Sequence, residues 1–342
     1  MVVTKVFCYK CGSARESFEI LCTKCGSPFI IKVSGSVERR IQDNYDYFGQ
    51  SFLPMENPTP IVETEQFKAK LEFFSSTLSY KDRGMNTLFS FLIKSGYLKE
   101  GDEVSEDSSG NAGASFSLFC NMSKVKGAVY VSAGANRMKI RQLESYGSTT
   151  EEVKGDRKAV ETAAMNCGRK YLGHQYWPEF YDGFRTISYE INQQLPEMPE
   201  NILIPFSTGT LYLGIYEGMM HLLQNKLIKS IPKLWAIQPE VASGMYDFLN
   251  GVKKEQKRSI ADALTGVLPL RHEYIASIIG MNGRCETVSE DEIRMARASM
   301  LHFGIDCEYS SAVTYAALKK FDLENNSLLI LTGHGIKNIS LI

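Results

Sequence analysis

Four of the chain's eight cysteines fall in two CxxC pairs, Cys8 with Cys11 and Cys22 with Cys25, each followed directly by a glycine, Gly12 or Gly26. A thiolate pair at this spacing can turn both sulfurs toward one ion, and the glycine permits the tight turn beyond it. Together the two pairs make a tetrahedral structural zinc site with no position open to substrate, so its expected role is folding or docking. Two disulfides or a redox dithiol are the alternatives. The remaining cysteines, Cys120, Cys167, Cys285 and Cys307, are scattered through apolar segments, the usage of a reducing compartment.

Four further stretches carry reactive or anion-binding groups. Ser79-Tyr80-Lys81-Asp82-Arg83-Gly84 places a lysine before a helical pattern from Met85 to Lys94. Alone, such a lysine is an ordinary solvated helix start. Asp107-Ser108-Ser109-Gly110-Asn111-Ala112-Gly113-Ala114-Ser115 leads into the apolar run Phe116 to Cys120, and free N–H groups at that helix start, with the serine hydroxyls, suit a carboxylate. An N-cap loop without a ligand is the plainer reading. Pro205-Phe206-Ser207-Thr208-Gly209-Thr210-Leu211 joins a strand end to a helix beginning near Tyr212, offering amides and hydroxyls to a phosphate. Leu331-Thr332-Gly333-His334-Gly335-Ile336-Lys337 ends the last strand; His334 reads as a turn residue that packs or hydrogen-bonds, and Thr332 as the functional one.

The elements that position these loops alternate. Strands are expected at Gly127–Ser132, Asn201–Pro205, Lys233–Ile237 and Ser327–Leu331, and helices at Tyr212–Ile228 and from Glu290 to about Phe303. The last opens on Ser289 with Glu292 three residues on and a Val288–Ile293 pair, a capping box with a hydrophobic staple. Alternation of this kind implies right-handed crossovers and a mainly parallel sheet, an α/β fold. With 342 residues, 44% apolar and 23% charged, the chain is long enough for about two domains plus a small module. Thirty-eight basic against 39 acidic residues leave a net charge of −1, which excludes a broad basic field for nucleic acid or an anionic membrane. No apolar run reaches the ~20 residues of a spanning helix, and the start MVVTKVFCYK lacks a signal peptide's apolar stretch, so a cytoplasmic protein is expected.

Taken in order, the motifs resemble the threonine synthase branch of the fold-type-II pyridoxal-phosphate enzymes, the tryptophan synthase β superfamily. LSYKDRGM is similar to that family's GSFKDRG-like motif, SSGNAGAS to its STGN-type loop and TGHGIKN to its terminal TGHGxK, and archaeal-type members often begin with a zinc module. The resemblance implies two three-layer α/β domains with mainly parallel sheets behind an N-terminal zinc ribbon. Its boundaries would be 1–35 for the ribbon, 36–91 and 183–342 for the larger domain, and 92–182 for the smaller one. It also implies a homodimer.

The resemblance further implies that Lys81 carries pyridoxal 5′-phosphate as a Schiff base and, once released, moves the proton at the substrate's α-carbon. Asn111 would bond the cofactor's 3′-oxygen, while Ser108, Ser109 and the amides of Gly110 and Ala112 hold the substrate carboxylate. Ser207, Thr208, Gly209, Thr210 and Leu211 would cradle the cofactor phosphate. Thr332 would face the ring nitrogen, and a hydroxyl there favours elimination or replacement over transamination. The implied reaction converts O-phospho-L-homoserine and water into L-threonine and phosphate.

Two departures bear on that reaction. Family synthases read N-P-x-R-x-x-G-Q-K-T in the segment that binds the substrate's phosphate, whereas this chain has Trp177-Pro178-Glu179-Phe180-Tyr181-Asp182-Gly183-Phe184-Arg185-Thr186. Phe180 stands at the arginine position, and a ring cannot replace a guanidinium fork. Arg185, or Arg137 and Lys139, could supply the missing cation. The VGNxGN-like phosphate loop of the family is also replaced by FSTGTL. A serine/threonine dehydratase or a β-replacement enzyme of cysteate- or cysteine-synthase type is therefore the alternative. A non-catalytic homologue using its zinc module for docking is a third reading, opposed by retention of Lys81 and Asn111.

Overall fold

In a computed structural model of the chain, the described residues are 2–47, 52, 57–135 and 137–337, with only the backbone of Asn325. They divide into two units, Met1–Glu56 with Lys81–Gly183, and Asn57–Tyr80 with Phe184–Ile342. Strands and helices are numbered along the chain.

The first unit opens with strands β1 (Val3–Cys8) and β2 (Phe29–Ser34), paired antiparallel with Cys8 opposite Phe29. Between them lie the two cysteine turns, in which the Gly12 and Gly26 N–H groups bond the carbonyls of Cys8 and Cys22 at 2.9 and 2.8 Å. Both glycines have φ near +70°, a conformation that penalises any Cβ. The rest of the unit is a parallel sheet of order β7-β6-β5-β8, from β5 (Glu103–Glu106), β6 (Lys126–Ser132), β7 (Thr149–Val153) and β8 (Lys170–Tyr171). Around it pack α1 (Lys81–Lys94), α2 (Asn111–Met122), α3 (Arg137–Ser145), α4 (Arg157–Met165) and the short α5 (Pro178–Asp182). Phe89 of α1 lies 6.2 and 5.8 Å from the rings of Phe116 and Phe119 on α2, which ties these helices into one core.

The second unit carries a six-stranded sheet of order β11-β10-β9-β12-β4-β3. Its strands are β3 (Ile61–Glu63), β4 (Lys68–Leu71), β9 (Asn201–Pro205), β10 (Lys233–Pro239), β11 (Gly283–Val288) and β12 (Ser327–Leu331). All neighbours are parallel except the edge strand β3. Its helices are α6 (Arg185–Gln194), α7 (Thr210–Gln224), α8 (Gly244–Leu249), α9 (His272–Asn282), α10 (Glu290–His302) and α11 (Tyr309–Lys320). The inner strands are continuously apolar, as strands covered on both faces must be, and Leu203, Ile237, Leu329 and Leu331 join one buried cluster with Val313 and Leu318 of α11.

Mainly parallel sheets in an α/β setting are as expected, and β9 and β12 fall on their anticipated residues. The capping box at α10 is present, with Ser289 Oγ accepting from the Glu292 N–H and the Glu292 side chain from the Ser289 N–H. Two helix limits differ. α1 begins at Lys81, since Asp82 in its first turn complements the helix dipole. α7 stops at Gln224 because Lys226 takes a left-handed conformation. The domain limits differ as well: the cysteine module and residues 81–91 share one unit with the smaller sheet, because α1 packs on α2 and α5. Of the Pro-bearing connector Leu53–Pro60, residues 53–56 lie outside the described residues.

Candidate active site

Parallel α/β sheets present ligand sites beyond the carboxyl ends of their strands, where the strand order reverses. In the first unit that point lies between β5 and β8, and the loops leaving them hold Asp107–Gly110 and Leu172–Tyr176. Lys81, in the first turn of α1, is 9% exposed. Burial lowers its amine to about 7, against the opposing pull of the Glu106 carboxylate. Its Nζ stands 5.4 Å from the centroid of the Phe180 ring.

Glu106 ends β5 with no exposed surface and accepts the His174 backbone N–H at 3.0 Å. It also meets His174 Nδ1 at 2.9 Å. Burial raises the Glu106 carboxyl to about 7, outweighing the favourable charges of Arg157 and Lys81. Burial also drives His174 well below the ordinary imidazole range, so the ring is neutral. Beside them Asp107 pairs with Arg157 and accepts the Tyr171 hydroxyl at 2.6 Å. The loop then turns so tightly that a Cβ on Gly113 would overlap the Ser108 carbonyl oxygen. Gly110 is the N-cap of α2 and has no side chain to close the first turn, which leaves the turn to Ser108, Ser109 and the backbone amides.

In the second unit the order reverses between β9 and β12, and both expected loops leave from there. Gly209 is the N-cap of α7 at φ +74°, a conformation that favours glycine, and a Cβ on it would also displace Ile275 Cδ1. Thr208 and Thr210 hydroxyls lie 3.1 Å apart, and Ser207 Oγ accepts the Thr265 N–H at 3.4 Å. Ser207 and Thr208 are half-buried, while Thr210 and Leu211 are buried. Thr332 is buried with its Oγ1 3.1 Å from Ser311 Oγ, and that serine also accepts the N–H groups of Thr332 and Gly333 at 2.9 and 3.0 Å. The Tyr80 N–H bonds the Thr332 carbonyl at 3.0 Å.

The site residues expected from sequence therefore gather at two strand-end positions, Lys81 with Ser108–Ala112 in the first unit and Ser207–Leu211 with Thr332 in the second. Arg185 opens α6 in the second unit. It is fully buried and donates to the Tyr189 hydroxyl at 2.7 Å, and that hydroxyl meets His221 Nδ1 at 2.7 Å. Arg137 and Lys139 lie on α3, exposed and half-buried respectively. His334 is a packing residue, edge-on to Phe73 with ring centroids 5.2 Å apart. Glu106 and His174 were not anticipated; in sequence Glu106 sits in the polar run Glu103-Val104-Ser105-Glu106-Asp107, which ordinarily marks a solvated edge.

The four module cysteines bring their sulfurs within 4.8 Å of one another, with pairs at 3.4 and 3.6 Å. Four sulfurs at ~2.3 Å from one tetrahedral zinc would be ~3.8 Å apart, so the cluster is of a size to hold a metal.

Comparison with known proteins places these features among relatives. A family model for "Pyridoxal-phosphate dependent enzyme" matches residues 52–333. The chain is 26% identical to a threonine synthase of Methanocaldococcus jannaschii, over 97% of this chain and 92% of the relative. It is 24% identical to a threonine synthase of Methanosarcina acetivorans, over 96% and 85%. Among solved structures it resembles a serine racemase from Dictyostelium discoideum, with a TM-score of 0.68 and 25% identity over 81% of this chain and 92% of that one. It also resembles an O-ureido-L-serine synthase, at TM-score 0.70 and 17% identity over 89% and 93%. No helix among the described residues is long and apolar enough to cross a membrane.

Proposed function

Because the chain belongs to the family of pyridoxal-phosphate-dependent enzymes, we propose that it is a lyase of threonine synthase type, converting O-phospho-L-homoserine and water into L-threonine and phosphate. The buried Lys81, held near neutrality where it can both give and accept a proton, is the observation that carries an active enzyme of this family. Similarity over nearly the whole length to two threonine synthases supports the substrate.

The residues present fit the cofactor. The amides and hydroxyls of Ser207 to Leu211 suit its phosphate, the Thr332 hydroxyl its ring nitrogen, Asn111 its 3′-oxygen and Lys81 its aldehyde carbon. When bound, the cofactor supplies an electron sink for charge developing at the substrate's α-carbon. The chain does the rest. Ser108, Ser109 and the amides of Gly110 and Ala112 hold the substrate carboxylate, and Lys81 Nζ, neutral above about pH 7, takes the α-proton and returns it. The cysteine module holds one structural zinc.

Phe180 favours a second reading. Its ring, buried against Lys81, lies where the related synthases carry a phosphate-binding arginine, and an apolar wall suits an unphosphorylated hydroxy-amino acid better than a phosphate dianion. The same machinery would then act as a serine/threonine dehydratase or in β-replacement. The deciding experiment incubates cofactor-loaded protein with O-phosphohomoserine, following phosphate and threonine, with O-phosphoserine, serine and threonine in parallel. Threonine with stoichiometric phosphate establishes the first reading. Silence there beside turnover of serine or threonine establishes the second.

A further inference from the structure

Helix α5 is only five residues long, Pro178 to Asp182, and too short to hold its own shape. Its side chains divide by partner. Glu179 pairs with Arg15, which lies between the two cysteine turns, and their side chains are 1% and 5% exposed. The Tyr181 hydroxyl accepts the N–H of Ile31 in β2. Asp182 receives the Tyr45 hydroxyl on its carbonyl at 3.0 Å and the Tyr47 hydroxyl on its carboxylate at 2.5 Å. Phe180 faces the lysine: its ring lies 5.4 Å from Lys81 Nζ and 5.2 Å from the His174 ring, and a Cβ on Gly84 would come within 2.6 Å of it. Three of the five residues of α5 are thus fastened by the N-terminal segment, and Phe180 forms an apolar cover of the lysine.

We infer that the cysteine module and the segment following it are a positioning device for Lys81, acting through α5 to press Phe180 over the amine. The physical link is desolvation. Burial is the first cause of the lowered Lys81 value, and Phe180 supplies part of that burial, so any slack in α5 admits water to Nζ and returns the amine toward its ordinary range. Arg15 also lies 5.5 Å over the Phe91 ring on α1, so the module grips the helix that bears Lys81 as well as the helix that covers it. This inference rests on the reading of Lys81 as the reactive lysine.

The test reads the amine directly. Full-length protein freed of cofactor is acetylated briefly across a pH series, and the Lys81 peptide is quantified by mass spectrometry. Arg15→Met, which leaves Glu179 without its cation, and Tyr47→Phe, which deletes one hydroxyl without altering packing volume, should each raise the Lys81 midpoint. We expect a rise of about one pH unit for Arg15→Met and a smaller one for Tyr47→Phe. Arg15→Lys should restore most of the wild-type midpoint. Glu106 and His174, the titratable groups facing Lys81, are untouched by all three changes. Tyr47→Phe and Arg15→Lys decide the matter if Arg15→Met does not fold. A midpoint unmoved in folded variants overturns the inference. A midpoint that moves in a protein that neither binds pyridoxal phosphate nor turns over amino acids leaves the positioning intact and removes the proposed activity instead.

Discussion

The two units solve different problems with the same architecture. At the strand ends of the first unit stand titratable groups taken out of water, Lys81, Glu106, Asp107 and His174, all shifted by burial. At the strand ends of the second, the loops offer hydroxyls and amides, with Thr208, Thr210, Ser311 and Thr332 bonded among themselves or to backbone. Lys81 and Glu106 can exchange protons near neutral pH; the hydroxyls of the second set keep their charge through that range. Shifted titratable groups and hydroxyl-rich loops thus lie at the ends of separate sheets.

The sharpest way to break this contrast is Lys81→Ala. Turnover should fall by at least about 10³-fold, and borohydride reduction of cofactor-treated protein should leave no pyridoxyl group on that peptide by mass spectrometry. Retained turnover would remove proton chemistry from the first unit. Next in size is Cys22→Ser, which should abolish bound metal by elemental analysis and cost at least ~3 kcal/mol in denaturant unfolding. That is well below the ~10–16 kcal/mol of isolated zinc-finger peptides, since the β1–β2 pairing and the Arg15–Glu179 pair remain.

Two glycine changes then separate the units. Gly84→Ala forces the Phe180 ring, 2.6 Å from the new methyl, to move, at about 1–3 kcal/mol and with a shifted Lys81 titration. Gly209→Ala strains a φ of +74° and should weaken pyridoxal-phosphate binding, followed by its absorbance, while the Lys81 titration stays put. Shifts in both properties from either change would mean that the division of labour is not real. The smallest effect is that of Glu106→Gln. Activity should rise across about pH 7 as Lys81 loses its proton, and Glu106 raises that value; its removal should move the rise to lower pH by about half a unit to one unit. A profile that stays in place or moves upward would contradict the assignment.

Much of the second unit could be read directly. β9 and β12 are unbroken apolar runs between polar turns, and the Ser289 to Glu292 box is a local code that needs no tertiary context. The burial of Lys81 and the tight glycine turns at 113 and 209 sit within short motifs that the sequence marks out. Glu106 and His174 were not legible, because 68 positions separate them and only the β5–β8 pairing brings their side chains together. Arg185 shows the opposite case. A cation near a suspected phosphate segment looks exposed in sequence, and nothing local announces that it is fully buried and donates to the hydroxyl of Tyr189, one helical turn on. The boundary near residue 81 was obscured because the limits of a domain follow packing, and α1 packs with helices that come later in the chain.

The turn at Gly113 has a consequence for variation. With no room for even a methyl group beside the Ser108 carbonyl, any side chain at position 113 would force the loop away from the start of α2. One added methyl there would therefore disturb the loop proposed to hold the substrate carboxylate, although residue 113 itself offers that ligand no side chain.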